Sequence, residues 1–226
     1  MRPPNDNNFT GVSMLSHQLL RNHAGIMLIG DYGTLRLLNE VVRDVNERSP
    51  LVRDKEGAFL ALAYDARKAY EQQREIIHPP EHLAEIGVRY GVAILWPVLL
   101  LQQRMLRESL AWIDHGKKHQ AITYALEAVI EEALREDLGS REPAVTEAWQ
   151  RLDPAHPGFF ERLHTRGALF CSWTKSRRRQ LLPSLLWSFH PLFGIGAGAY
   201  PFGSNKQVTP DDLAAWEGYE WPDPKL

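Results

Sequence analysis

The chain has 226 residues, with 26 Lys+Arg against 28 Asp+Glu, a formal net charge of −2 and 44% hydrophobic residues. That apolar and aromatic content excludes a disordered chain. The single cysteine, Cys171, excludes an internal disulfide framework and a multi-cysteine metal site. The length suits one domain over residues 1–226, with a subdivision into 9–152, strands plus helices, and 153–226, rich in aromatics, glycine and proline.

Residues 1–8 are polar and read as a frayed tail, with no apolar core of a secretory signal behind them. Residues Phe9 to Leu20 and Ala24 to Ile29 are predicted as two short strands joined around Arg21-Asn22-His23, the second an apolar run bounded by Gly25 and Gly30. Gly30-Asp31-Tyr32-Gly33 reads as a turn, with Thr34 as the N-cap of the next element. From Leu35, the apolar positions Leu38, Val41, Val42 and Val45 follow helical spacing. A second helix is predicted from about Glu56 to Glu75, burying Phe59, Leu62, Ala63, Ala66 and Tyr70.

His78-Pro79-Pro80 breaks the chain, and Glu81 to Ile113 reads as one long helical segment that Pro97 must kink or split. Lys117 to Leu138 is a further helix closed by Gly139, and Pro143 to Leu152 a short one. Beyond Asp153 glycine and proline become frequent, and Phe193 to Gly203 cannot be regular helix. Thr209-Pro210-Asp211-Asp212 has the form of a helix start, a cap followed by proline and two acids at the positive end of the dipole. The predicted fold is α+β and mainly α: a short N-terminal β-hairpin, about six helices in a bundle-like arrangement, and an irregular aromatic C-terminal region. No long-period repeat is present.

The longest apolar run, Val92 to Leu101, is ten residues and contains Pro97. A membrane-spanning helix needs ~20, so no membrane contact is expected, and the free cysteine suits a cytoplasmic protein.

Asn22-His23-Ala24-Gly25 leading to Gly30-Asp31-Tyr32, then Tyr64-Asp65-Ala66-Arg67-Lys68-Ala69-Tyr70 and Arg74-Glu75, resembles an uncharacterised bacterial protein family of unknown function. Its members carry a similar NHAG…GDY stretch and a later YD-x-R-x-AY…RE stretch. The resemblance spans roughly residues 9–138. It implies a small β element leading into helices and no activity, so no catalytic residue follows from it.

The charged residues of 64–75 pair at helical spacings, Arg67 with Glu71 at i,i+4, Asp65 with Lys68 and Glu71 with Arg74 at i,i+3. A solvated, salt-bridged face is the simpler reading, and a dispersed enzyme site near Asp31, Tyr32, Asp65 and Arg67 the sharper one. Glu127/Glu131 and Glu132/Glu136 are carboxylate pairs at i,i+4. A di-metal bundle needs Glu-x-x-His on facing helices, and neither pair is followed by histidine at that spacing, so an acidic face is expected. His115 and His119 have ligand spacing, yet Gly116 between them breaks the helix and no third ligand is evident. No metal site and no cofactor are therefore expected. Gly194-x-Gly196-x-Gly198 lacks the Lys-Ser/Thr of a phosphate loop and reads as a turning loop. Cys171 has no nearby histidine and reads as a buried structural thiol.

Charge order carries more information than these local patterns. Residues 127–153 hold eight acids against three bases, 162–179 hold six bases and no acid, and 211–226 hold five acids against Lys225. Residues 159–226 contain 12 of the 22 aromatics. Trp, Tyr and Arg dominate interface hot spots because they bury much area with few lost rotamers. The expectation is a non-catalytic partner-binding protein of the immunity or inhibitor type, occluding a basic toxin or effector through Asp211, Asp212, Trp216, Tyr219 and Trp221. The alternative is a nucleic-acid-binding protein using the basic stretch 162–179, with Lys175, Arg177, Arg178 and Arg179 on phosphates and Trp173 stacking on a base.

Overall fold

The computed structural model describes residues 14–193 and 207–226. In chain order these form β1 (Leu15–Leu19), β2 (Gly25–Gly30), α1 (Tyr32–Arg48), α2 (Ala58–Tyr70), β3 (Glu75–Ile77), β4 (Arg89–Leu95) and α3 (Trp96–Ser109). There follow α4 (Lys117–Leu138), α5 (Glu142–Gln150), α6 (Leu163–Ser172), α7 (Lys175–Trp187) and α8 (Pro210–Ala214). The fold is α+β and mainly α, with one small antiparallel sheet of order β1-β2-β4-β3. The Gly-rich run Gly194 to Gly198 and the N-terminal tail lie outside the described residues.

β1 and β2 form the predicted hairpin, in register Leu15↔Gly30 to Leu19↔Ile26. Their connection is a 3-10 turn in which Asn22 and His23 both adopt left-handed backbone, φ 59° and 53°. β2 sits between two partners because its first residue carries no side chain: a Cβ on Gly25 would fall 2.1 Å from the Ile94 carbonyl oxygen. Alternation along the strands sends Leu15, Ile26, Leu28, Val92 and Ile94 to one face, where all are buried against the helices.

Helix α1 begins earlier than predicted. Asp31, not Thr34, is the N-cap, its carboxylate accepting from the Thr34 N–H at 2.7 Å and the Thr34 hydroxyl at 3.0 Å. A carboxylate is the stronger cap here because it takes both donors at once. The stripe Leu35, Leu38, Val41, Val42 and Val45 packs on α2, and the buried Asn39 reaches across to the Ala63 carbonyl at 2.7 Å. α2 ends at Tyr70 rather than Glu75, since Glu75–Ile77 pairs with β4 as an edge strand.

The segment from Glu81 to Ile113 departs furthest from expectation. It is not one kinked helix but a 3-10 turn (Glu81–Ile86), then β4, then α3. Pro97 begins a helix instead of bending one, standing in the first turn of α3, where its missing N–H removes no hydrogen bond. The Trp96 N–H donates instead to the Ala24 carbonyl at 2.9 Å, fastening the start of α3 to β2.

α4 matches its predicted bounds, Lys117 to Leu138 with Gly139 beyond. Beyond Asp153 the chain is more regular than its glycine and proline content predicts, since α6 and α7 both form there and α7 accommodates Pro183 internally. One hydrophobic cluster includes Leu15 of the sheet, Phe59 of α2, Trp149 of α5, Phe170 of α6 and Leu213 of α8.

Candidate functional site

The C-terminal residues 207–226 lie as a strap across α6 and α7. Thr209 and Asp212 form a reciprocal capping box at the start of α8, Thr209 Oγ1 accepting from the Asp212 N–H and Asp212 Oδ2 from the Thr209 N–H at 2.9 Å. The Val208 N–H donates to Ser184 Oγ of α7 at 2.8 Å, and Leu213 enters the core. Further on, Trp221 packs on Gly167 of α6, the Pro224 carbonyl accepts from Arg178 at 2.7 Å, and the Lys225 carbonyl accepts from Asn22 at 2.7 Å.

These contacts sort the predicted partner-binding residues. Trp221 is half-buried and held within the chain, and Asp212 is engaged in its cap. Trp216 is half-buried, with Tyr219 edge-on to it at 5.7 Å between ring centroids. Tyr219 is 61% exposed, and Asp211, Glu217 and Glu220 are exposed with it. The strap thus presents outward Tyr219 against Trp216, and along the same segment three exposed carboxylates, Asp211, Glu217 and Glu220.

The basic stretch is organised differently from a phosphate-binding patch. Arg162 donates to the Phe189 and His190 carbonyls, and Arg166 to the Ser188 carbonyl and hydroxyl, all at the C-terminal end of α7. Arg178 donates to the Phe170 and Cys171 carbonyls at the end of α6, to Asn22 O and to Pro224 O. Arg179 donates to the Leu138 carbonyl at the end of α4. Helix C-termini carry unpaired carbonyls and the negative end of the helix dipole, so cations are favoured there. Four of the six bases therefore close helix ends, which accounts for a basic run with no acid in it.

This corrects two members of the nucleic-acid set. Arg178 is 2% exposed and Trp173 5% exposed, so neither a phosphate nor a base can reach them. Lys175, Arg177 and Arg179 remain exposed.

The members of the dispersed cluster near the start of α1 each have contacts of their own. Asp31 is occupied by Thr34. Tyr32 stacks edge-on against Tyr70 at 5.2 Å. Arg67 lies over the Tyr64 ring with its Nε 3.8 Å from Glu71, as the i,i+4 reading expects. Asp65 is two residues away and so on another face of α2, where burial raises its carboxyl pKa against the pull of Arg74 and Lys68.

Of the acidic pairs on α4, Glu127 meets Arg107 at 3.2 Å and Glu136 meets His17 at 3.0 Å. His119 bonds Asp44 and His115 bonds Gln120, so the two rings, 6.4 Å apart, face different partners. Cys171 is buried, and burial raises its thiol to about 11 against the opposing pull of Arg178.

Sequence reasoning missed a half-buried network at the hairpin turn. Asp137 of α4 accepts from Trp96 Nε1 at 2.9 Å and meets His23 Nδ1 at 2.8 Å. The signal available was an isolated acid at the end of an apolar helix face, which spacing alone does not connect to a turn 114 residues earlier.

The architecture is thus a small antiparallel sheet buttressed by helices whose carbonyl ends are closed by arginine, with a C-terminal strap laid across them. The chain belongs to the family described as a domain of unknown function (DUF6904), whose model matches residues 15–190. No curated protein and no solved structure matches the chain. The match reaches beyond the stretch on which the sequence resemblance rests and stops before the strap. Among the described residues, no helix is long and apolar enough to cross a membrane.

Proposed function

We propose that this protein is a cytoplasmic, bacterial, non-catalytic binding protein that neutralises a basic toxin or effector by occlusion, in the manner of an immunity or inhibitor protein. The bacterial attribution rests on the NHAG…GDY and YD-x-R-x-AY stretches. The observation that carries the binding reading is the strap itself, where Tyr219 stands exposed against Trp216 and Asp211, Glu217 and Glu220 are exposed on the same segment. An exposed aromatic group on an acidic segment suits a partner with a basic rim and an apolar pocket. Charge of this kind sets association rate and specificity more than bulk affinity.

The test is capture from the native host with the immobilised full-length chain, beside a variant carrying Tyr219→Ala, Glu217→Lys and Glu220→Lys. All three positions are exposed, so the variant should melt as wild type does. A basic protein retained by wild type and lost by the variant supports the reading. Retention that ignores the triple change, or no specific retention at all, refutes it.

A further inference from the structure

Arg162 and Arg166 stand one turn apart at the start of α6, and their acceptors are the neutral oxygens at the end of α7 and, for Arg166, the Arg162 carbonyl. Arg166 is 7% exposed and meets no carboxylate among the described residues. Burial and the repulsion of Arg162 together lower its pKa to about 10. Among the described residues its Nη1 has one acceptor, Arg162 O at 3.4 Å, which leaves each terminal nitrogen a further N–H.

A cavity of about 360 Å³ lies between α6 and α8 with Arg166 in its wall, lined also by Thr165, Phe193, Leu213, Ala214 and Glu217. Among the described residues its lining holds one buried cation, one hydroxyl, apolar side chains and a single exposed carboxylate.

We propose that this cavity binds an apolar monocarboxylate. The helix end and the Phe189 ring hold the Arg166 cation without an anion among the described residues, and a carboxylate matches the planar fork of arginine with two parallel hydrogen bonds. The oxygens at the end of α7 hold the guanidinium by Nε and Nη2, which fixes its plane before a ligand arrives. Phe193, Leu213 and Ala214 supply contact for an alkyl or aromatic body, so a bare hydrated anion gains less than an acid with a hydrocarbon tail. Glu217 repels a second negative charge, which discriminates against dicarboxylates and phosphate. The proposal shares Glu217 with the partner reading but does not rest on it, and is tested with no partner present.

The experiment is calorimetric titration of the full-length chain with hexanoate, hexanamide and inorganic phosphate at low salt. Hexanoate should bind saturably, hexanamide at least tenfold more weakly, and phosphate without measurable heat. Arg166→Gln should abolish hexanoate binding. Because that change also removes a helix-end contact, two exposed positions are read beside it. Ala214→Glu should weaken hexanoate several-fold and Glu217→Gln should strengthen it, both with unchanged melting temperature. Equal binding of acid and amide, no saturable binding, or an affinity indifferent to both charge changes would overturn the proposal.

Discussion

The Trp221 indole occupies the space a side chain at Gly167 would need: a Cβ on that glycine would fall 2.0 Å from Trp221 Cζ2. Glycine inside a helix ordinarily costs roughly 0.5–1 kcal/mol relative to alanine, so its place in the middle of α6 serves this contact. Gly167→Ala should therefore destabilise the protein by about 1–3 kcal/mol, the usual cost of overpacking. In a Trp221→Ala background the same change should turn neutral or stabilising. Denaturant melts of the four proteins form a double-mutant cycle, and additive effects would mean that the two residues are not coupled.

Arg178 joins three stretches of chain through carbonyl acceptors, whereas Arg177, its neighbour in sequence, is exposed. Arg178→Met should cost about 2–4 kcal/mol, because several buried carbonyls lose their donor. Arg177→Met should stay within roughly 0.5 kcal/mol of wild type, as surface changes do. Urea midpoints of the two variants make the comparison, and limited proteolysis should show the C-terminal residues released only in the first.

Two glycines should respond in opposite directions. Gly25→Ala brings a methyl against the β4 backbone at Ile94 and should cost more than about 3 kcal/mol or prevent folding. Gly116 is the N-cap of α4, where a Cβ would meet nothing within 4 Å and the first turn carries no acid. Gly116→Asp adds a capping acceptor and a favourable charge at the dipole's positive end, for a gain of about 0.3–1 kcal/mol. Thermal melts followed by circular dichroism distinguish the two outcomes.

The Cys171 thiol should leave a mark at alkaline pH. Its ordinary value is 9.0, and burial raises it to about 11 in the folded chain. Below the lower value both states hold the proton and the contribution to stability is complete. As pH rises through that interval the unfolded chain releases the proton and the folded chain does not, so stability falls. Cys171→Ala removes this component, and its stability should decline less than that of wild type across the same interval. Parallel slopes in denaturant melts would contradict the assignment.

Much of the fold was legible because it is local. Gly25 and Gly30 bracket β2, Gly116 and Gly139 bracket α4, and Thr209 to Asp212 spells out a capping box. β4 was not legible: Val92 and Ile94 alternate, but they run directly into Trp96 and Leu99 without a turn residue, so strand and helix merge into one apolar run. Pro97 then reads as a kink when it is a beginning. The candidate site was obscured for a different reason. Arginine side chains that meet backbone carbonyls leave no complementary acid in the sequence, so Arg162 to Arg179 looks like an exposed basic surface until the helix ends are placed. The seat of Trp221 is equally silent, because its counterpart is the absence of a side chain 54 positions away.

The strap has a practical consequence for anyone dividing this protein. A fragment stopped where the family match ends would lose Val208, Leu213 and Trp221 together, stripping cover from Gly167 and leaving Asn22 and Arg178 without two of their acceptors. Such a fragment would carry a freshly bared sticky face and should self-associate. Aggregation of that truncated form would reflect a missing lining and not an intrinsic tendency of the intact chain.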